Sequence, residues 1–319
     1  MRGDTDRSPA DRRFSNGRNR SVAFLIAAAW STGTLDGVND QLRRRSVGAP
    51  AARSTLLTVL GEYVLPAPDG AWQETLVSAL NALDYKTQAA RQALARSVSA
   101  GWLRTERHGR RSRVYLTDET AQMLQSGAER IYGFGRPWEW DGRWLLVVVQ
   151  VPEEQRDVRH LVRTQLAWAG FGSVGNGLWI TPHVDREAEA VAVARDASAA
   201  ELVSFRAELG SLGDPQRVVA EAWDLDEVAR AYQEFIDRFG RLRPKTPEAV
   251  FRAQTELVDD WRKFPFLDPD LPEKMLPAGW PRSKARRVFE DRHDAWHGPA
   301  QEYFRSLEGV QQPPRQRAA

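Results

Sequence analysis

The chain has 319 residues, with 45 lysines and arginines against 43 acids and no cysteine. That length exceeds what one compact core usually supports, so two or three domains with separate cores are expected. The absence of cysteine excludes disulfides, thiolate-held zinc, iron–sulfur clusters and thiol catalysis, and it fits a reducing cytoplasm.

The small net charge of +2 hides an uneven distribution. Residues 1–50 hold nine arginines against five acids, and residues 51–125 hold nine basic against seven acidic residues. The remainder carries 27 basic and 31 acidic residues, so any polyanion-binding character belongs to the front third. Arg12, Arg13, Arg18 and Arg20 precede the apolar run Val22 to Trp30. Nine apolar residues cannot span a bilayer, and the segment reads as a disordered basic extension.

Next, Leu56, Leu57, Leu60 and Val64 recur at helical spacing, ended by Pro66 to Gly70. Leu76, Leu80 and Leu83 predict a second amphipathic helix over Gln73 to Leu83. A third runs from Thr87, an N-cap candidate, to Ala100, with Gly101 as its stop. Ala90, Leu94 and Val98 fall on one face of it, and Gln88, Arg91, Gln92, Ala95 and Arg96 on the other. Trp102 to Arg107 then alternates like a strand, His108 to Arg111 turns, and Ser112 to Leu116 returns. Residues Asp84 to Thr117 contain eight basic residues and two acids. Three helices followed by a basic hairpin is a winged helix-turn-helix arrangement, and a field this concentrated suits DNA phosphates.

Asp118 to Ile131 reads as a connecting helix and Gly133 to Pro137 as a linker. Trp144 to Val151 is a buried strand by its near-continuous apolar run. A helix over Arg156 to Ala169, a glycine-broken strand pair over Gly172 to Thr181, a helix over Arg186 to Ala194 and a strand over Glu201 to Leu209 follow. The order βαββαβ predicts a ferredoxin-like sheet with helices on one face. Helices over Trp223 to Phe239, Pro247 to Phe264 and Arg282 to Leu307 complete the chain, the last two separated by a proline-rich hinge, Leu267 to Pro272. The fold class is thus α+β, with a basic extension (1–50), a winged helix-turn-helix domain (51–132), a ferredoxin-like domain (138–222), a helical domain (223–310) and a polar tail (311–319).

These elements resemble the PaaX family, repressors of phenylacetic-acid degradation genes, over residues 51 to about 308. The resemblance is carried by AARQALARSVSAGWLRTERHGRRSRVYLT in front, WLLVVVQVPEEQRDVRHLVRTQLAWAGFGSVGNGLWITP and AWDLDEVARAYQEF in the middle, and DPDLPEKMLPAGWPRSKARRVFE in the rear. It implies a cytoplasmic homodimeric repressor of aromatic-catabolism promoters that leaves DNA when an aryl-acid coenzyme A thioester binds. The family's middle domain is similar to a CRISPR-associated nuclease fold. Gln150-Val151-Pro152 stands where that nuclease's acid belongs, so no hydrolysis is inferred.

For DNA, Arg91, Gln92 and Arg96 are the base-reading candidates, since arginine reads guanine and glutamine reads adenine in the major groove. Lys86, Thr87, Arg107, Arg110, Arg111 and Arg113 are candidates for the phosphates and minor groove. For the thioester, cations must meet phosphates and an aromatic-lined pocket must hold the acyl group; Arg159, Arg163, Trp168, Trp179 and His183 are candidates by type and position.

No recognisable enzyme constellation emerges. Gly170 to Gly175 matches G-x-G-x-x-G, but it leaves a helix and opens a strand, the reverse of a dinucleotide loop. His293 and His297 stand at i and i+4, yet no third ligand is identifiable and Gly298-Pro299 is expected to break the helix, so no metal or cofactor is expected. The competing readings are a metal-dependent nuclease on the ferredoxin-like domain, and a regulator of similar design, or an activator, answering to another ligand.

Overall fold

The computed structural model describes residues 52–309, except 68, 198 and 199. The extension and tail read from the sequence lie outside the described residues.

In the front unit, α1 (Ala52–Val59) runs into a π-helical turn (Leu60–Val64), and α2 (Gln73–Ala82) and α3 (Thr87–Ser99) follow. Alanine, glutamine and arginine favour the helix in α3. Gly101, at φ 74°, ends it with a Schellman pair: Trp102 N donates to Ser97 O at 2.9 Å and Gly101 N to Val98 O at 3.0 Å. Strands β2 (Leu103–His108) and β3 (Arg111–Leu116) form the hairpin. A two-residue strand, β1 (Ala71–Trp72), extends it to an antiparallel sheet of order β1-β3-β2. Gly70 permits this pairing, because a Cβ there would sit 2.4 Å from the Val114 carbonyl oxygen.

Helix α4 (Asp118–Gly133) is capped by Thr117, whose Oγ1 accepts from Thr120 N at 3.4 Å. It leads to the central sheet of β4 (Arg143–Gln150), β5 (Gly172–Ser173), β6 (Leu178–Thr181) and β7 (Glu201–Glu208). All neighbours are antiparallel in the order β5-β6-β4-β7, as a split βαββαβ chain requires. Leu145 and Val147 pack against Val162 and Leu166 of α5 (Arg156–Trp168) and Ala190 and Val193 of α6 (Glu187–Asp196). The opposite face is covered too, contrary to the one-sided expectation. Trp144 and Ile180 pack on Val219 of an unforeseen helix, α7 (Pro215–Ala222), and on Leu271 and Met275.

The rear is formed by α8 (Leu225–Arg241), α9 (Pro247–Trp261), a short α10 (Phe264–Leu267) and α11 (Arg282–Gly309) around an aromatic core. Tyr232 stacks on Phe264 at 4.1 Å and Trp261 on Phe289 at 4.7 Å. Two expectations fail here. Helix α11 passes through Gly298-Pro299 unbroken; Trp296, Ala300 and Phe304, buried on both sides of the proline, hold the segment where the lost backbone bond would otherwise kink it. Residues 267–272 are a buried strap, not a hinge. The Asp268 carboxylate accepts two bonds from Arg282, at 2.8 and 2.7 Å, and one from Tyr232 Oη at 2.7 Å.

The expectation of separate cores also fails at the front. Phe251 of α9 and Ala300 and Phe304 of α11 belong to the same buried cluster as Leu56, Leu60, Leu76 and Leu94. Thr58 Oγ1 donates to Asp259 Oδ1 at 2.7 Å, and Arg262 Nη2 to Ser54 O at 3.0 Å, across the same junction. A short three-helix unit cannot close its own core, and the rear helices close it.

Candidate nucleic-acid interface

Packing on α1 and α2 determines which side of α3 stays free. Ala90, Ala93, Leu94 and Ser97 are buried, whereas Arg91, Gln92, Ala95 and Arg96 are exposed. The three base-reading candidates therefore share one solvent-facing surface, as the helical period predicts. Lys86, not Thr87, is the N-cap; Thr87 is the first helical residue, and its hydroxyl donates to Asn81 Oδ1 at 3.3 Å, away from the helix end. Both residues are exposed at the start of α3. Asp84, one of two acids in this stretch, is bridged by Arg252 of α9, which holds its carboxyl below the usual range. Glu106, the other, pairs with Arg104. Pairing both acids leaves the remaining cations to dominate the local field.

The hairpin cations divide into two groups. Arg107 and Arg110 stand exposed at the tip, Arg107 donating to the Gly109 carbonyl at 3.3 Å. Arg111 lies 3.9 Å over the Trp72 ring and faces Glu74 at 3.9 Å. Arg113 donates to the Asp69 carbonyl at 2.6 Å and also lies over Trp72, at 5.0 Å. The sequence treated these four alike because β1, which supplies Trp72, was invisible in it.

Of the five effector candidates, the structure brings three together. Arg159, Arg163 and Trp179 line an open groove of about 810 Å³ beside the C-terminal end of β4 and the loop Gly175 to Gly177. Trp168 is elsewhere, with its ring 5.3 Å from Phe266. His183 packs 4.5 Å from Trp138 and meets the Asp270 carbonyl at 3.2 Å, where burial and the charge of Arg186 lower its pKa to about 4. Both belong to packing between the central unit and its neighbours. The G-x-G-x-x-G segment is the αβ turn expected, with Gly170 at φ 84° after α5 and Gly172 against the Trp223 ring.

His293 and His297 are brought together as expected for i and i+4, their rings stacked at 4.9 Å. The third group missing from the sequence reading is Glu62 of the π-helical turn, buried beside both imidazoles. Its distance of more than 230 residues along the chain hid it; the one available signal was an acid inside the apolar run of the first helix.

Comparison with known proteins covers all three units. Residues 51–120 match the family described as PaaX-like protein, 137–219 the PaaX protein central Cas2-like domain, and 223–306 the PaaX-like protein C-terminal domain. The transcriptional repressor PaaX of Escherichia coli (strain K12) is 31% identical over 254 residues, spanning 75% of this chain and 78% of that protein. The solved structure of an uncharacterised protein from Mycobacterium tuberculosis superposes with a TM-score of 0.52 over 79% of this chain and 98% of that one; at 22% identity the likeness concerns the fold alone. With matched segments over most of its length, the chain belongs to the PaaX family.

Proposed function

We propose that this chain is a DNA-binding transcriptional repressor whose residues 52–116 work as a winged helix-turn-helix. The observation that carries the reading is the exposed Arg91, Gln92 and Arg96 surface of α3, with its reverse side packed against α1 and α2. In this reading α3 enters the major groove, Arg91, Gln92 and Arg96 read bases, and Lys86, Thr87, Arg107 and Arg110 hold phosphates. Arg111 and Arg113 shape the wing through Trp72. The name of the Escherichia coli relative supports a regulator without enzymatic activity.

The effector in this proposal is an aryl-CoA thioester bound in the groove of Arg159, Arg163 and Trp179, which offers cations and an aromatic wall. The working unit is a homodimer. Strand β7 is a sheet edge, and its Val203 and Phe205, on the same face as α7 but beyond its cover, are 44% and 54% exposed; a second copy covering them would present two reading helices to a two-fold symmetric operator. Among the described residues no helix is long and apolar enough to cross a membrane.

Selection of bound duplexes from a random pool, followed by titration of the winning duplex, tests the reading. A defined sequence is expected, bound in a salt-dependent way and released by phenylacetyl-CoA but not by coenzyme A alone. Failure to enrich any sequence overturns the DNA assignment; enrichment without release overturns only the effector.

A further inference from the structure

The π-helical turn at Leu60–Val64 places one carboxylate inside the molecule. Leu65 N reaches back to Leu60 O at 2.8 Å, and the widened turn points Glu62, 7% exposed, at the junction between α1 and α11. Such single π turns recur at functional sites. Glu62 Oε2 lies 3.7 Å from His293 Nε2 and 3.7 Å from His297 Nδ1, and all three donor atoms fall within 4.8 Å of one another. Those spacings are too long for hydrogen bonds. They are close to the separation of ligands sharing one tetrahedral ion, ~3.4 Å for bonds of ~2.1 Å.

The surroundings are arranged around the same point. Tyr132 Oη donates to the other carboxylate oxygen, Oε1, and Gln254 Nε2 donates to Oε2 at 3.2 Å. Gln301 Nε2 donates to the Glu62 carbonyl at 2.5 Å, fixing the turn itself. Partners of this kind hold a ligand carboxylate in one orientation. His297 Nδ1 is buried with no hydrogen-bond partner among the described residues, an uncommon state for an imidazole nitrogen. Neither lysine nor arginine pairs with the Glu62 carboxylate among the described residues.

We propose that Glu62, His293 and His297 bind a divalent cation of the zinc type, with a fourth position open to water. Two imidazole nitrogens and one carboxylate oxygen suit such an ion better than calcium or magnesium, which favour all-oxygen shells. The ion would join the π-helical turn that continues α1 to α11 of the rear, and so fasten the front unit in one orientation. This site stands independently of the DNA reading, since it is measured without DNA.

The intact chain, stripped by a chelator and dialysed, is titrated with Zn²⁺ by calorimetry, and the melting temperature is recorded with and without the ion. One equivalent per chain is expected, raising the melting temperature by about 5 °C at saturation. His297→Ala, at a side chain 41% exposed, should abolish that equivalent while the chain still folds; Tyr132→Phe should weaken it by ~10-fold or more. As a readout that needs no variant, Co²⁺ should give the visible absorption of a tetrahedral nitrogen- and oxygen-ligated ion. No saturable equivalent in the intact chain, or one that persists in His297→Ala, overturns the proposal.

Discussion

The front and central units both present cations, on surfaces of opposite shape. Arg91 and Arg96 project from a convex helix, whereas Arg159 and Arg163 line a concave groove. A convex row can enter a duplex groove, and a concave pair can enclose the phosphates of a small ligand. Attachment differs as well. The front unit shares its core with α9 and α11, so head and rear form one packed body. The central sheet keeps a core of its own, with Leu145, Val147, Val162 and Leu166, and is held to the rear by α7 and the strap at Asp268 to Met275. In the proposed reading, a signal from the groove has two routes to the head, that strap and Trp168, which packs beside Leu57 and Met123.

Breaking the strap has the largest expected effect. Arg282→Ala leaves the Asp268 carboxylate buried without its bidentate partner, and its loss should cost ~3–5 kcal/mol in urea unfolding. By comparison, Thr58→Ala at the head junction removes one hydrogen bond to Asp259, which keeps its pairing with Arg262, and should cost ~1–2 kcal/mol. If Arg282→Ala also splits the melt so that tryptophans of the central unit unfold first, the strap is the main connection. A single transition with a small loss would remove the contrast between the units.

Acid probes the same connection more gently. His183 sits beside the strap with its pKa lowered from 6.5 to about 4. Between those values the unfolded chain takes up a proton that the folded chain refuses. Stability is therefore full above pH 6.5 and falls as the pH drops toward 4, by ~3 kcal/mol at most. Asp270, whose pKa burial raises against the pull of Arg282, acts in the opposite sense near the bottom of this window. Stability measured from pH 7.5 to 4.5 should lose its His183 slope in His183→Asn; an unchanged slope would mean that other groups set the acid limit.

What the sequence revealed follows from how local each signal is. The period of Ala90 and Leu94, the stop at Gly101 and the alternation of Trp102 to Arg107 are short-range, and each matches the structure to within a residue or two. The near-continuous apolar run of β4 likewise exposed the central sheet. Long-range features were hidden. Nothing near Leu56 announces Phe251 or Phe304 as neighbours, and nothing near His293 announces Glu62. Pro299 misled because its cost is local while the packing that offsets it is tertiary. Residues 267–272 misled because proline-rich composition resembles a linker, although Leu271 is fully buried. The residues proposed to face DNA were legible as a face, but the division of the cations into exposed and ring-packed ones depended on Trp72, in a strand too short to show a period.

On the head itself, Arg91→Ala should cost ~1–3 kcal/mol of binding to the preferred duplex and relax the preference at one base step, because a bidentate base contact supplies discrimination that phosphate contacts do not. The loss should nearly vanish on a random duplex. An equal loss on both would reassign Arg91 to the phosphates and leave Gln92 and Arg96 as the readers.

The smallest effect separates the two kinds of wing arginine. Arg110 is exposed at the hairpin tip, so Arg110→Ala should lower the slope of log affinity against log salt by ~0.9, the share of one phosphate contact. Arg111 already has Trp72 beneath it and Glu74 beside it, with its side chain 25% exposed. To reach a phosphate it must give up the ring, so Arg111→Ala should leave the salt slope unchanged and act through stability, by ~0.5–1 kcal/mol. Affinity measured between 50 and 200 mM salt, the range over which phosphate contacts dominate, distinguishes the two. Equal slopes for both variants would mean that DNA draws Arg111 off Trp72, and the wing would then be shaped by its target and not by β1.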